Sequence, residues 1–361
     1  MSKELRIGII GSGGIARGHA RAYKSRPDVR VVGVCDIVPG KAKAFIEAQE
    51  LEGAADFERV EDLLELGLDA VSVCTPNVAH HSTSIAALNA GAHVLVEKPM
   101  AVTLEQAVEM AQTAKRMNRI LSVGFQPRYD PNMQTLTQIV RSGQLGTIYY
   151  VETGGGRRRG MPGGTFIRKD LAGAGAMADI GCYSLDLALN ALGYPKPLSV
   201  SAATYNFLGR SPKYHPEADR FEVEDFGVAF VRLEGNITLV VKISWAMHMD
   251  TLGATIFLGS EAGLKVTPPG SGPWSGAWDG GIGSITLFHD LLGHMTESPI
   301  PIRRHDINIF AEKVHDFVRA VQTGGPAPIP GEQIVRNQAI IDGVLRSAAS
   351  GREVEIHIPE I

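Results

Sequence analysis

Residues 7–16 read Ile7-Gly8-Ile9-Ile10-Gly11-Ser12-Gly13-Gly14-Ile15-Ala16 and set Gly11, Gly13 and Ala16 at the spacing G-x-G-x-x-G/A. An apolar run ends at Gly11 and an amphipathic run starts at Ile15, so the motif lies between an expected strand and an expected helix. Gly11 permits a tight turn, Gly13 lets the backbone approach a pyrophosphate, and small Ala16 lets the helix pack closely on the strand. The helix N-terminus then offers N–H groups and a partial positive charge to phosphates. With Gly14 and Ile15 completing the loop, the stretch reads as a dinucleotide site for NAD or NADP rather than a bare glycine turn.

Working outward, short apolar runs at 5–10, 29–35, 69–74, 93–97 and 120–123 read as strands. Segments 15–25, 40–49, 80–90 and 104–117 carry apolar residues at helical spacing. This alternation predicts an α/β Rossmann domain, a doubly wound parallel sheet over residues 1–124. After Gly124 the rhythm changes. A helix over 131–142 precedes β-rich segments, among them a hairpin formed by 226–233 and 238–245 around Glu234-Gly235-Asn236, with further strands at 254–258 and 264–266. Residues 125–361 therefore read as an α+β domain for substrate binding and oligomerisation, with a large, mainly antiparallel open-faced sheet. Helices over 181–192, 307–323 and 333–350 are expected to cover one face, leaving the other for a homodimer or homotetramer. Nine of the seventeen residues 268–284 are Gly or Pro, a density that predicts a loop.

The whole-chain numbers narrow the partners. At 361 residues the chain exceeds one ordinary core and fits two domains. A formal net charge of -4 gives no electrostatic footprint for nucleic acid or an anionic membrane, and no stretch approaches the roughly 20 apolar residues of a membrane span. Cys35, Cys74 and Cys182 include no CxxC pair, which argues against a disulfide framework or a thiolate zinc site. The N-terminus lacks a signal-type apolar region, and the chain reads as cytoplasmic.

Along the expected ligand edge, Asp36 ends the second strand, 25 residues after Gly11. A carboxylate there accepts hydrogen bonds from the adenosine ribose hydroxyls and repels a 2′-phosphate, which favours NAD; nearby Lys41 keeps NADP open. Thr75 and Asn77 follow the third strand as cofactor contacts, with Asn77 equally readable as a helix cap. His80 and His81 are adjacent rather than i, i+4, so no metal is expected.

Glu97-Lys98-Pro99 closes the fourth strand on the same edge. A lysine there can hydrogen-bond a reacting oxygen and tune a neighbouring acid, and Pro99, as a cis or trans turn residue, aims it. Downstream, Gly173-Ala174-Gly175-Ala176-Met177-Ala178-Asp179-Ile180-Gly181-Cys182-Tyr183 places Asp179 and Tyr183 four apart at an expected helix start, so that a carboxylate and a phenol share one face. Alone, the pair reads equally as a helix cap beside a buried structural tyrosine.

With these three motifs in order, the chain resembles the Gfo/Idh/MocA oxidoreductase family over nearly its whole length. The resemblance implies hydride transfer between the nicotinamide and a secondary alcohol of a sugar, glycoside or inositol-like polyol. It implies Tyr183 as the proton-transfer group, Lys98 as the cation that polarises the oxygen, and Asp179 as the residue that orients the substrate. Histidine is commoner at the Tyr183 position, and tyrosine marks a subset similar to glucose-fructose oxidoreductase. By the same resemblance Glu97 and Gln126 are cofactor contacts and Arg128 is a substrate contact, while Arg157, in the run Arg157-Arg158-Arg159 near the implied substrate entrance, reads equally as a substrate contact or a solvated charge. Asp186 is a structural or secondary substrate residue. Trp274 and Trp278 are candidates for stacking on a sugar ring. Two alternatives share the motifs: an NAD-dependent glycosidase using transient hydride transfer, and a non-catalytic regulator that senses nucleotide and sugar.

Overall fold

The computed structural model describes residues 4–268, 283–303 and 306–361. Its backbone divides into two units, Met1–Phe125 with Asn308–Val335 and Pro359–Ile361, and Gln126–Ile307 with Arg336–Ile358.

The first unit alternates β1 (Leu5–Ile10), α1 (Gly14–Lys24), β2 (Val29–Cys35), α2 (Lys41–Gln49), β3 (Ala55–Phe57), α3 (Val60–Leu64), β4 (Ala70–Val73), α4 (Asn77–Asn89), β5 (His93–Val96), α5 (Leu104–Arg116) and β6 (Leu121–Val123). The six strands are parallel in the order β3-β2-β1-β4-β5-β6. Strand order reverses beside β1, which opens a crevice at the carboxyl ends of β1 and β4. The central strands are apolar almost throughout because helices bury both faces; all four residues of β4 are buried. The sequence reading omitted β3 and α3, since β3 is a three-residue edge strand with no buried residue and hence no apolar signature.

The second unit contains α6 (Pro131–Arg141), β7 (Ile148–Gly156), α7 (Lys169–Ala172), α8 (Cys182–Leu192), β8 (Pro197–Tyr205), β9 (Phe226–Leu233), β10 (Ile237–Ser244), β11 (Thr255–Gly259), β12 (Ala262–Thr267), β13 (Ser284–Leu291) and β14 (His294–Ile300). The chain continues through α9 (Ile309–Thr323), α10 (Gly331–Ser350) and β15 (Val354–Glu355). Among the described residues its sheet has nine strands, ordered β14-β13-β12-β11-β7-β10-β9-β8-β15. Every pairing is antiparallel except that of β7 with β10. The expected hairpin is β9–β10, turning at Asn236, whose φ is 61°. Strand β9 alternates buried with unburied residues, the mark of a sheet covered on one face.

One placement corrects the sequence reading. Helix α9 was expected to cover the sheet of the second domain, yet it belongs to the first unit, where Val314, Phe317 and Val318 join Ala16, Ala20 and Tyr23 of α1 in one buried cluster. An amphipathic stripe specifies a buried face without specifying its partner, so periodicity could not assign it. The first stretch of this unit ends at Phe125, and the unit is completed by a C-terminal return, Asn308–Val335. Most of the Gly/Pro-rich segment 268–284, with Trp274 and Trp278, lies outside the described residues.

Candidate active site

The β1–α1 turn separates two kinds of glycine. Gly11 has φ 89°, and a Cβ there would lie 2.6 Å from the Cys74 carbonyl oxygen, so the fold itself requires glycine. Gly13 is extended (φ -78°, ψ -169°), a conformation open to any residue, and a Cβ on Gly13 or Gly14 would meet nothing within 4 Å. The open space faces the start of α1, whose first turn has no acidic residue and no side-chain cap. Its leading N–H groups are therefore presented to a ligand. Ala16 is fully buried, which allows the helix its close approach, while Ile15 is exposed at the rim.

Asp36, just past β2, faces this turn. Its Oδ2 accepts from the Ser12 amide (2.9 Å) and hydroxyl (2.7 Å) and from Lys41 Nζ (2.9 Å), and its Oδ1 accepts from the Val38 amide (3.1 Å). Burial pushes the carboxyl up, but the bonds from Ser12, Lys41 and Val38 outweigh it and hold the pKa down at about 2. The loop after β4 adds Thr75, whose Oγ1 is buried without a hydrogen-bond partner among the described residues. An orphaned hydroxyl, an open glycine cradle and an ionised Asp36 together fit a dinucleotide. Asn77 begins α4 behind Pro76, so it does not take the capping position that its type suggested.

The segment after β5 is held from inside. Glu97 is 4% exposed, and its Oε1 pairs with Lys313 Nζ of α9 and with His19 Nε2 of α1 (2.8 Å). His19 Nδ1 meets Ser72 Oγ at 3.0 Å, and Ser72 meets Tyr23 OH at 2.7 Å. Burial pushes the Glu97 carboxyl up, yet Lys313 and His19 outweigh that and keep it well below the usual carboxylate range. The Glu97 side chain, expected as a cofactor contact, is thus committed to the Rossmann core. Lys98 follows, partly exposed, and Lys98–Pro99 is cis. The Pro99 carbonyl lies 2.7 Å from Nδ1 of buried His80, whose Nε2 lies 2.9 Å from the Thr75 carbonyl. A neutral imidazole donates to one of these oxygens, an imidazolium to both. Burial lowers the His80 pKa against the pull of those carbonyls and Glu97.

In the second unit, residues 177–181 form a turn of π-helix before α8 begins at Cys182. Such turns concentrate at functional sites. The turn starts on Glu224, whose buried carboxylate accepts from the Gly175 amide (2.9 Å) and the Met177 amide (3.0 Å). Asp179 Oδ2 accepts from Trp245 Nε1 at 2.9 Å, and the Trp245 amide donates to the Asp225 carbonyl at 2.8 Å. Gln126 Nε2 donates to Tyr183 OH at 3.0 Å. Each side chain is thus held by a partner distant in the sequence, Asp179 by Trp245 and Tyr183 by Gln126. Arg157 is buried and donates to the Gly160 carbonyl at 2.8 Å; burial lowers its pKa while the charge of Asp179 opposes the shift. Arg128 forks onto Asp186, Nε to Oδ2 at 3.0 Å and Nη2 to Oδ1 at 2.6 Å, and also donates to Tyr194 OH at 2.9 Å. The Arg128 guanidinium, expected as a substrate group, and Asp186, expected as a structural or secondary substrate residue, thus form a bidentate pair. A cavity of about 220 Å³ between α6 and α8 has Tyr183, Arg128 and Asp186 in its wall. Among the described residues no cluster of His, Cys, Asp and Glu is arranged to hold a metal ion.

Sequence reasoning missed Trp245, Glu224, His19 and Lys313. For His19 and Lys313 a signal existed: each interrupts the apolar stripe of an amphipathic helix, Ala16-Ala20-Tyr23 and Val314-Phe317-Val318, where an unpaired charge would be expensive. Trp245 gave none, because it continues the inward alternation Leu239-Val241-Ile243 of β10.

Comparison with known proteins agrees with this architecture. Residues 5–125 match the oxidoreductase family with an NAD-binding Rossmann fold, and residues 133–265 match the GFO/IDH/MocA C-terminal domain. The chain is 36% identical to a D-glucoside 3-dehydrogenase of Escherichia coli (strain K12), covering 98% of both chains. It is 33% identical to a glucose-6-phosphate 3-dehydrogenase of Bacillus subtilis (strain 168) over 50% of this chain and 52% of that one. An aldose-aldose oxidoreductase from Caulobacter crescentus shares the fold, with a TM-score of 0.79 at 24% identity over 98% of this chain and 100% of that one.

Proposed function

Because the chain belongs to the Gfo/Idh/MocA oxidoreductase family, we propose that it is an NAD-dependent dehydrogenase of a ring secondary alcohol in a sugar, glycoside or inositol-like polyol. The observation that carries the proposal is the anchoring of two polar side chains on the Met177–Gly181 turn and α8, Asp179 by Trp245 and Tyr183 by Gln126. NAD, when bound, supplies the hydride acceptor. Gly11, Gly13, Gly14 and Ala16 would hold its pyrophosphate at the start of α1, and Asp36, Thr75 and Asn77 would line its path. Asp36 selects NAD over NADP, since its carboxylate is ionised where a 2′-phosphate would lie.

Tyr183, as its phenolate, takes the hydroxyl proton of the substrate as the carbon loses its hydride, leaving a ketone and a neutral phenol. An unperturbed phenol has a pKa of about 10 and is almost wholly protonated at neutral pH, so its phenolate needs a cation nearby. Lys98 is assigned as the cation that stabilises the developing negative charge on oxygen, and Asp179, fixed by Trp245, orients the neighbouring hydroxyl. The substrate chemistry is drawn from the names of the relatives, so a D-glucoside oxidised at position 3 is the first candidate.

Two coarser features complete the proposal. Phe230 on β9 and Leu198 on β8 are exposed apolar residues of the nine-stranded sheet, which supports a homodimer or homotetramer through that sheet. No helix of the described residues is long and apolar enough to cross a membrane, and the three cysteines are buried free thiols, which fits residence in the cytoplasm.

The test incubates the protein with NAD or NADP and a panel of glucosides, free sugars, sugar phosphates and inositols, following the reduced nicotinamide. Accumulation of reduced cofactor with a keto product is expected, faster with NAD. Release of aglycone without net reduction would favour the glycosidase alternative, and absence of both turnover and cofactor binding would sink the enzyme reading.

A further inference from the structure

Lys98 is the residue on which the proposed chemistry most depends, and the residues on either side of it are pinned by buried side chains that reach it from three helices. On one side, the Glu97 amide donates to the Val73 carbonyl at 3.0 Å. The Glu97 carboxylate is gripped by Lys313 of α9 and His19 of α1, and Lys313 itself is 1% exposed with its ammonium 3.8 Å from the Phe310 ring centroid. On the other side, the Pro99 carbonyl rests on His80 of α4, which also reaches the Thr75 carbonyl in the loop after β4.

A buried lysine and carboxylate are a poor choice for stability alone, because apolar residues of similar size would usually do as well or better. Their arrangement has a geometric consequence instead. Lys98 lies at a bend between these two anchors, so locking the Glu97 side chain into the core and holding the Pro99 carbonyl on His80 fixes the backbone on both sides of Lys98, and with it the direction in which its side chain departs. We propose that Glu97, with Lys313 as its charge partner, and His80 are positioning residues that clamp the backbone on both sides of Lys98 and set its ammonium for the reaction. This inference rests on the proposed catalytic role of Lys98.

The test compares Glu97→Gln, His80→Leu and the paired variant Glu97→Gln/Lys313→Met with the wild type. Three readouts are taken: thermal midpoint, NADH affinity by fluorescence titration, and kcat on the member of the glucoside, sugar and inositol panel that the wild type oxidises fastest. Hydrogen–deuterium exchange of the peptide spanning 96–101 is measured without substrate. The clamp predicts faster exchange in that peptide for each variant, and a fall in kcat of between about tenfold and about a hundredfold. For Glu97→Gln and the paired variant, NADH affinity is expected to stay within about threefold of the wild type, since the phosphate loop is untouched. In the paired variant the thermal midpoint recovers towards the wild type because no buried charge is left unpaired, while kcat stays low. A purely structural network would instead restore kcat along with the midpoint, and that recovery, or wild-type exchange in all three variants, overturns the inference. Failure of the parent reading shows separately, as wild-type turnover in Lys98→Ala. If Glu97→Gln does not fold, His80→Leu and the paired variant carry the same comparison.

Discussion

The indole of Trp245, wholly buried at the end of β10, donates to Asp179 Oδ2 at 2.9 Å and so ties the central sheet of the second unit to the π-helical turn. A hydrogen bond to a charged group contributes about 1.5–3 kcal/mol. If Asp179 orients the substrate, Trp245→Phe retains the ring and loses that donor. The expected result is a fall in kcat/KM of about tenfold to about a hundredfold with little change in NADH affinity. Steady-state kinetics with a fluorescence titration checks it, and wild-type kcat/KM would remove Asp179 from the site.

Tyr183→Phe deletes one oxygen and leaves α8 intact. As the proton-transfer group, Tyr183 should contribute about 10²–10⁴-fold to kcat. The variant is expected to fold, to bind NADH as the wild type does, and to lose turnover by that factor. A loss confined to KM would make the phenol a binding group only.

The two motif glycines are expected to fail differently. Gly11→Ala forces a Cβ against the Cys74 carbonyl at φ 89° and should unfold at a lower temperature. Gly13→Ala meets open space in the protein itself, so its midpoint should match the wild type while NAD affinity falls at least about tenfold, the pyrophosphate having lost its close approach. Calorimetry and a cofactor titration separate the two; unchanged NAD affinity in Gly13→Ala would take the pyrophosphate off this loop.

Asp36 gives a pH dependence with a definite sign. Its pKa falls from 3.8 to about 2 on folding. A depressed carboxyl contributes stability that is fully present above the unfolded value and lost as pH falls through the folded one. Stability should therefore drop between about pH 4 and about pH 2, and Asp36→Asn should flatten that part of the acid unfolding curve. The same variant should narrow the preference for NAD over NADP. An acid limb identical to the wild type would show that the bonds from Ser12 and Lys41 do not hold the carboxylate in solution.

Arg128 and Asp186 form a pair whose side chains are 12% and 5% exposed. Removing one partner from such a pair strands the other charge, at a cost of about 3–5 kcal/mol. Asp186→Asn should therefore lower unfolding free energy by an amount in that range in a denaturant titration. Loss of activity with unchanged stability would instead make the pair a substrate contact.

Much of the fold was legible because its signals are local. Gly11, Gly13 and Ala16 between a strand and a helix specify a nucleotide turn, and uninterrupted apolar strands specify a sheet buried on both faces. Lys98, Asp179 and Tyr183 stood out through motifs that contain them. By contrast, β3 lacked an apolar run, α9 carried a stripe with no stated partner, and Trp245 looked like any inward residue of β10. Glu97 and Arg128 were legible as residues but not in their roles, because a carboxylate or guanidinium looks the same in sequence whether it meets a ligand or a buried countercharge.

The sequence by itself determined the dinucleotide turn, the alternation of strand and helix, and the short set of side chains able to carry the chemistry. Each follows from spacing along the chain, and spacing is what a sequence records. Only the tertiary structure decided that α9 completes the Rossmann unit, that Lys313 and His19 bind Glu97, and that Trp245 and Gln126 fix Asp179 and Tyr183. These are contacts between residues dozens to hundreds of positions apart, chosen by which buried polar group must find a partner once water has been excluded.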